Sequence, residues 1–456
     1  MNGKKRTRTV DGTCWPCRKR RIKCDLGKPQ CRRCILNGTA SACHYNALDL
    51  RWKIAATSKS DHVPTTPPVS SISDGTSLAI NEKRAIDYFV ARLWPLLSTS
   101  GQPCKPPVSL GLRFKPVLQT ICVFSDSHRA QDMNTSEQTL TYQRLACLGS
   151  IREYLDRKDV ERSHLSSLLT AVILLYFLDG FVDCAQRHAS TQFHHAGAIA
   201  ILTELGGFQK ARATSSKATS MLLSEFATTD LTAALLQSRT PYLPANIWRE
   251  MELQQPVWWE VSDIPKSLAS VFETMAEMSF YRHSIGEEQA VCFEKVANFE
   301  KTLQPSYLVI GDAVSMDAGD RYEMSLTMAT YSFCRAFQHA ALIYLYRAIC
   351  KMPTSHALVQ QHVHGCLECI RGVDFLPEVQ KCSLFPLYVA GAHALTEVHR
   401  TYVIEKLDSI YVNLRFESVV SIRANLIQLW EKPLDISDST WSDTFKEFTG
   451  KTTLVL

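Results

Sequence analysis

Residues 14–43 read CWPCRKRRIKCDLGKPQCRRCILNGTASAC and hold six of the 16 cysteines in the chain. Their spacing is C-x2-C-x6-C-x6-C-x2-C-x8-C, so a pair followed by a single cysteine occurs twice. Zinc takes four ligands in a tetrahedron, and six thiolates can serve two zinc ions only if two sulfurs bridge both ions. The predicted ligands are Cys14, Cys17, Cys24, Cys31, Cys34 and Cys43. A module this small has little core, so zinc is expected to supply most of its folding free energy, on the order of 10 kcal/mol or more per site.

Two other uses of these cysteines are a RING-type zinc site and a redox or disulfide knot. The amino terminus, Met1 to Arg6, has no apolar stretch behind its charges, so it is not a secretory signal. We therefore expect a reducing compartment, where clustered cysteines are more often metal ligands than disulfides. A ubiquitin-ligase RING would need eight ligands, and His44 after Cys43 does not complete a fourth pair. A redox or disulfide knot is the remaining alternative.

The charge distribution indicates a polyanion-binding end. Residues 1–43 contain twelve Lys or Arg and two Asp or Glu, whereas the whole chain has a net charge of only +5. Five of the six residues between the second and third cysteines are basic: Arg18, Lys19, Arg20, Arg21 and Lys23. Phosphate contacts from such residues give affinity and salt dependence, while an arginine or lysine on a guanine edge gives sequence preference. A solvated basic face is the alternative. The second basic block, Lys4 to Arg8, would extend the phosphate contacts or act in nuclear import.

This stretch resembles the fungal binuclear zinc-cluster transcription factors. The resemblance rests on the six spacings, on Cys-Arg-x-Arg-x-x-Lys-Cys-Asp from Cys17 to Asp25, and on Pro29 before Cys31. It implies that Cys14 and Cys31 bridge two zinc ions. It also implies a nuclear, DNA-binding regulator of RNA polymerase II genes, whose first short helix enters the major groove at a CGG-like half-site.

The same resemblance assigns roles to the basic residues. The family usually reads its base with a lysine four residues after the second cysteine, and this chain has Arg21 there. A guanine preference should survive this change, although arginine is a planar, bidentate donor and lysine a point charge. Arg20 would be a second base contact, and Arg18 and Lys23 would hold phosphates. The exact triplet stays open.

The rest of the chain predicts a linker and a large helical domain. Residues 1–13 form a basic arm, 14–43 the cluster, 44–79 a flexible Pro/Ser linker and 80–456 the helical domain. No heptad repeat follows the cluster, so a monomer or a homodimer through the large domain are both open. The fold class is thus a small zinc-stabilised module plus a mostly α domain, an irregular helical bundle. The predicted helices are Ile80–Leu97, Leu140–Leu155, His164–Arg187, Phe193–Leu205, Leu326–Cys350, His356–Ile370, Leu387–Glu405 and Phe416–Leu429. The longest apolar run, Leu168–Leu178, is too short to cross a bilayer and is interpreted as a buried helix, so no membrane partner is expected.

A second stretch carries the resemblance into this domain. Phe193 to Leu202, FHHAGAIAIL, is similar to the H-x-x-G-A motif of the middle homology region of fungal zinc-cluster regulators. It implies a regulatory domain that self-associates, binds co-regulators or the transcription machinery, or senses a small-molecule effector. The simpler interpretation is that Gly197 and Ala198 let two helices pack closely.

Enzymatic function is not predicted, because the common catalytic motifs are missing from the sequence. His362, His364, Cys366 and Cys369 are metal-type residues, but helix packing explains them better than a metal site. The segment Asp435–Phe445 mixes acids with apolar residues and fits either an activation segment or a packed final helix, with packing favoured. The leading function is therefore a DNA-binding transcription regulator. The alternatives are a zinc-cluster protein that binds RNA or proteins, and an enzyme with a zinc appendage.

Overall fold

The computed structural model divides the chain into two compact units, Met1–Ser73 and Asp74–Leu456. It describes residues 14, 17, 20, 22–27, 30–38, 43, 78–100, 103–131, 137–156, 162–184, 190–254, 256–259, 267–286, 290–305, 318–374, 379, 382–431, 439–446 and 453–455. The basic arm 1–13 and nearly all of the linker 44–79 lie outside these residues. The division into arm, cluster, linker and helical domain therefore stays a prediction.

The amino-terminal unit has no ordinary hydrophobic core among its described residues. The buried side chains there are the six cysteines, and Ile22 is the hydrophobic residue packed against them. One short helix, α1 (Arg32–Leu36), begins directly after Cys31. A unit of this kind needs cross-linking by metal or disulfides to be stable, because so little apolar surface is buried.

The carboxy-terminal unit is an irregular bundle of helices, and its described residues contain no strand. This confirms the predicted fold class. The α-helices are α2 (Ile80–Tyr88), α3 (Val108–Arg113), α4 (Lys115–Ala130), α5 (Glu137–Leu155), α6 (Arg162–Phe177), α7 (Thr191–Glu204), α8 (Phe208–Thr214), α9 (Lys217–Leu236), α10 (Ile247–Leu253), α11 (Leu268–Ile285), α12 (Phe293–Leu303), α13 (Ala318–Tyr344), α14 (Ala357–Arg371), α15 (Leu384–Ala392), α16 (Glu397–Leu414), α17 (Glu417–Glu431) and α18 (Trp441–Thr444).

Several long helices end in a wider π turn. Phe89–Leu93 continues α2, Leu178–Val182 continues α6 and Leu345–Ile349 continues α13. The predicted helix Ile80–Leu97 is therefore one continuous element that changes its winding and ends in the 3-10 turn Trp94–Leu97. Such turns bring an extra residue into the helix and are frequent at functional sites.

Two predicted helices differ from the structure. The helix predicted over His164–Arg187 ends at Val182, with Asp183 and Cys184 outside it, and a second predicted helix is divided in two. The stretch Leu387–Glu405 is divided between α15 and α16, with the break at His393–Thr396. The Thr396 side chain accepts a hydrogen bond from the backbone N–H of His399 at 3.3 Å, which is an N-cap and starts a new helix. An apolar pattern that continues across a cap does not reveal such a break.

The α6 helix is deeply buried in the unit. With its π turn it forms a 19-residue apolar helix, His164–Val182, which by length and composition could span a membrane. However, 89% of the 18-residue apolar stretch of this helix is buried inside the fold. Packing against the neighbouring helices α4, α7 and α9 accounts for this burial. The observed burial thus supports the prediction of a buried core helix. The length of the helix does not support it, because a helix of this length could cross a bilayer.

The carboxy-terminal segment packs onto the bundle. Trp441 is buried and donates its indole N–H to the backbone oxygen of Leu235 at 2.8 Å. Further along, the backbone N–H of Leu454 donates to the oxygen of Gly180 at 2.9 Å, and a methyl group at Gly180 would overlap the Leu454 side chain. The described part of this segment therefore matches the packed alternative. Residues 432–438 lie outside the described chain.

The H-x-x-G-A motif lies on α7, where it joins a buried ionic cluster. The His194 Nε2 atom is 3.2 Å from the Asp179 carboxylate, which also forms an ion pair with Arg144. Arg144 reaches Asp183 at 3.0 Å as well. Gly197 and Ala198 are buried on α7, and α7 packs against α6. The motif thus both packs two helices and fixes a buried charge.

Buried histidines predict that the helical unit loses stability in mild acid. His393 is fully buried, and this burial, with the nearby Arg347 cation, lowers its pKa to about 3. The unfolded chain, with a pKa near 6.5, binds more protons between these values, so stability falls as the pH drops below about 6.5. We expect His393→Gln to flatten this loss by up to about 1.4 kcal/mol per pH unit in urea unfolding between pH 6 and 4. An unchanged pH dependence would contradict the burial of a neutral imidazole at this position.

Candidate metal centre and nucleic-acid interface

The six cysteine sulfurs form one compact cluster. The Sγ atoms of Cys14 and Cys31 are 3.6 Å apart, those of Cys17 and Cys31 3.6 Å, and those of Cys14 and Cys24 3.7 Å. A disulfide would need about 2.05 Å. Four thiolates around one zinc at about 2.3 Å lie about 3.8 Å from each other. The spacing therefore fits metal-bridged thiolates and not a disulfide knot.

The cluster resolves into two four-sulfur groups. One group contains Cys14, Cys17, Cys24 and Cys31, and the other contains Cys14, Cys31, Cys34 and Cys43. In each group all sulfurs lie within 4.8 Å of one another. Cys14 and Cys31 belong to both groups, which is the bridging pair that the family resemblance implies. Each group offers the four ligands of one tetrahedral zinc.

The local fold directs backbone amides at the sulfurs. Cys31 is the N-cap of α1, and its Sγ accepts the Cys34 N–H at 3.3 Å. The Cys31 N–H donates to the Cys43 Sγ at 3.2 Å, and the Leu26 N–H to the Cys24 Sγ at 3.4 Å. Amide donors and a helix N-terminus both favour negative charge. They therefore stabilise thiolates at these positions.

The loop between the two halves is fixed by Asp25. Its carboxylate accepts the Arg32 N–H at 3.0 Å, which joins the first half of the cluster to the start of α1. This hydrogen bond also lowers the pKa of Asp25. The aspartate of the Cys-Asp pair in the motif thus has a structural role. It aligns the two halves so that their cysteines can share ions.

The thiols of the cluster are shifted in both directions, since backbone and thiol hydrogen bonds outweigh burial at Cys24 and lower its pKa to about 7. Burial raises the pKa of the Cys14 thiol above its ordinary value and that of Cys17 to about 12. Two zinc ions bring four positive charges to six thiolates, leaving a residual charge of about −2. The donor set, its spacing and its burial therefore all fit two zinc ions.

The predicted DNA-contact residues are described only in part. Arg20 and Lys23 are exposed at the surface of the amino-terminal unit. Arg18, Lys19 and Arg21 lie outside the described residues, so their assigned roles stay predictions. The side chains of Arg32 and Arg33 on α1 are also exposed, and the sequence analysis did not assign them to the site. The sequence feature that points to these two arginines is their position between Cys31 and Cys34, in the second half of the cysteine pattern. They add to the basic surface of the unit.

The histidine and cysteine motif of α14, at positions 362–369, does not form one site. His362 turns inward to the His339 ring, with 2.8 Å between their Nδ1 atoms, while His364 is exposed. Cys366 is fully buried and donates to backbone oxygens of Ala336 and Pro386. The six amino-terminal cysteines make up the four-donor groups found among the described residues. Helix packing, the favoured interpretation, therefore explains His362 and the two cysteines, while His364 lies at the surface.

Comparison with known proteins identifies both parts of the chain. Residues 12–52 match the model of the fungal Zn(2)-Cys(6) binuclear cluster domain, and residues 84–455 match that of the fungal specific transcription factor domain. The first match confirms the prediction of two zinc ions. The second covers most of the chain and confirms the resemblance drawn from the H-x-x-G-A motif. Both domains belong to non-enzymatic regulators, in agreement with the expectation that the chain is not an enzyme.

A curated relative is similar to a short part of the chain. The transcription factor MAR1 of Candida glabrata is 43% identical over 49 residues, which is 11% of this chain and 4% of the relative. The chain therefore aligns with only a small fraction of that protein's length. No solved structure gives a significant match. From the two domain matches and the cluster geometry, the chain belongs to the fungal specific transcription factor family and carries its Zn(2)-Cys(6) binuclear cluster.

Proposed function

We propose that the protein is a nuclear, sequence-specific regulator of RNA polymerase II transcription that reads CGG-like half-sites in the major groove. The observation that carries this proposal is the pair of four-sulfur groups sharing Cys14 and Cys31, next to a strongly basic surface. The family match supports the coarser role of a DNA-binding transcription regulator. Nuclear localisation is typical of this family.

In this proposal each cysteine ligates zinc. Cys17 and Cys24 bind one ion, Cys34 and Cys43 bind the other, and Cys14 and Cys31 bind both. The metal-held fold positions two basic segments, the run from Arg18 to Lys23 and the exposed arginines of α1. Bound zinc supplies only structure and charge. The protein side chains make the contacts to DNA.

The two basic segments have different tasks. Arg18, Lys19, Lys23, Arg32 and Arg33 contact phosphates, which gives affinity and a steep dependence on salt. Arg20 and Arg21 reach base edges, where arginine pairs with the two acceptors of guanine. The exposure of Arg20 and Lys23 supports their part in this interface.

Arg21→Ala should remove sequence preference. Loss of a bidentate guanine contact is expected to weaken binding to a cognate CGG duplex by about 1–3 kcal/mol, with little change on random DNA. Lys23→Ala is the matched control, because loss of a phosphate contact should weaken all duplexes alike and flatten the salt dependence. Fluorescence anisotropy with both duplexes at several salt concentrations measures this. Equal losses on both duplexes for Arg21→Ala would contradict its role as a base reader.

The alternative is a cluster that binds RNA or a protein without sequence-specific readout of DNA. It predicts that the full-length protein prefers single-stranded RNA to a CGG duplex, or binds neither. Competition between the two nucleic acids in the same anisotropy assay distinguishes these outcomes.

The helical unit, in turn, would act as the regulatory part through a homodimer, co-regulators or a small-molecule effector. Light scattering of the full chain tests the homodimer.

A further inference from the structure

The helix α14 carries two histidines that each face a histidine of another helix. His362 faces His339 of α13 in the interior, and His364 faces His399 of α16 near the surface. The buried pair has 2.8 Å between its Nδ1 atoms, an ordinary hydrogen-bond distance. The outer pair, His364 and His399, has a longer distance between its facing nitrogen atoms and is more exposed to solvent.

The outer pair has the separation of two ligands on one metal ion. The His364 Nδ1 and His399 Nε2 atoms are 3.4 Å apart, and the ring centroids are 5.6 Å apart. This is longer than the usual hydrogen bond. Two imidazole nitrogens, each about 2.0–2.1 Å from a tetrahedral zinc, lie roughly 3.3–3.4 Å from each other. The observed distance lies at the long end of a hydrogen bond and also matches the separation of two ligands on one ion.

The surroundings allow an ion to enter. His364 is exposed and His399 half-buried, so the two facing nitrogens can be reached from solvent. Glu368, one turn after His364, is also exposed, and its carboxylate pairs with Arg371. Glu368 and Arg371 act on His399 with opposite signs, so this ion pair leaves the surroundings of the two histidines close to neutral. Water would complete the coordination.

We propose that His364 and His399 bind a divalent transition-metal ion such as Zn²⁺ at this surface, separately from the cysteine cluster. Imidazole suits zinc, copper and nickel, and the neutral ring supplies the lone pair. Because the two ligands come from different helices, the ion would join α14 to α16. Binding to the folded state alone would also stabilise the helical unit.

Zinc stoichiometry of the full-length protein tests this. The zinc-loaded protein is dialysed against low-micromolar free Zn²⁺ at neutral pH, and zinc per chain is measured by mass spectrometry. We expect one zinc more than the cluster holds, and the loss of that one ion in His364→Gln and in His399→Gln. The exposed His283→Gln is the matched control and should keep it. Circular dichroism checks that each variant is folded.

Two outcomes would overturn the proposal. Either the wild type holds only the cluster zinc under these conditions, or both glutamine variants keep the additional ion. A cluster variant, Cys31→Ala, separates the two sites, because it should lose cluster zinc and retain the ion between α14 and α16. Thermal unfolding gives a second readout: added Zn²⁺ should raise the melting temperature of the wild type and not that of His364→Gln.

Discussion

Replacing Cys31 by alanine should abolish specific DNA binding and release zinc from both sites of the cluster. Cys31 belongs to both four-sulfur groups, so its loss leaves three sulfurs in each. It also removes the sulfur that caps α1. Zinc supplies on the order of 10 kcal/mol per site to such modules, and without it the unit should not stay folded. We expect affinity for a cognate duplex to fall by roughly a factor of 10³ or more, to the level of non-specific binding.

The control for this variant is Cys292→Ala, which changes an exposed cysteine of the helical unit. It should keep both zinc ions and full DNA affinity. Zinc content by mass spectrometry and duplex binding by anisotropy are measured on the same preparations. The helical circular dichroism of Cys31→Ala should be nearly unchanged, because the helices belong to a separate compact unit. Retention of both ions by Cys31→Ala would contradict the shared-ligand arrangement.

Replacing Asp179 by alanine should destabilise the helical unit by about 3–5 kcal/mol. The Asp179 side chain is fully buried in the π turn after α6 and accepts the Ser190 N–H at 2.7 Å. Among the described residues, its loss leaves Asp183 as the carboxylate that forms an ion pair with the buried Arg144, and it removes one contact of His194. A buried cation that loses a carboxylate keeps its desolvation cost without the compensating attraction.

The matched control is Asp156→Ala, because Asp156 also pairs with an arginine, Arg152, but both side chains are exposed. Its effect should stay within about 0.5 kcal/mol. Urea unfolding followed by helical circular dichroism gives both values. Equal stabilities of the two variants would show that the Arg144 cluster does not hold the α5, α6 and α7 helices together.

The site was predicted in greater detail than the fold. Metal ligation requires particular residues at particular spacings, so the cysteine pattern predicted two zinc ions. The family resemblance, and not the spacing, implied that Cys14 and Cys31 are the pair that both sulfur groups share. The contribution of Asp25, whose carboxylate joins the two halves, could not be read in the same way. It depends on a hydrogen bond to Arg32 that only the folded loop creates.

The buried α6 was predicted from its apolar run, whereas the equally buried α9 was not predicted. The α9 helix is almost entirely buried, yet its sequence is rich in Ser, Thr and Ala and shows no clear apolar stripe. It is held by its Ser216 N-cap and by neighbours on every side. Periodicity reports the contrast between a buried and an exposed face, so it fails where a helix has no exposed face.

The sequence by itself determined the zinc cluster, its basic surroundings and the helical nature of the larger unit, because short-range spacing and composition control these features. The tertiary structure alone decided which buried charges meet, such as Arg144 with Asp179, and which histidines face each other, such as His364 and His399. These partners come from helices far apart in sequence. Their contacts depend on how helices pack, which no local pattern encodes.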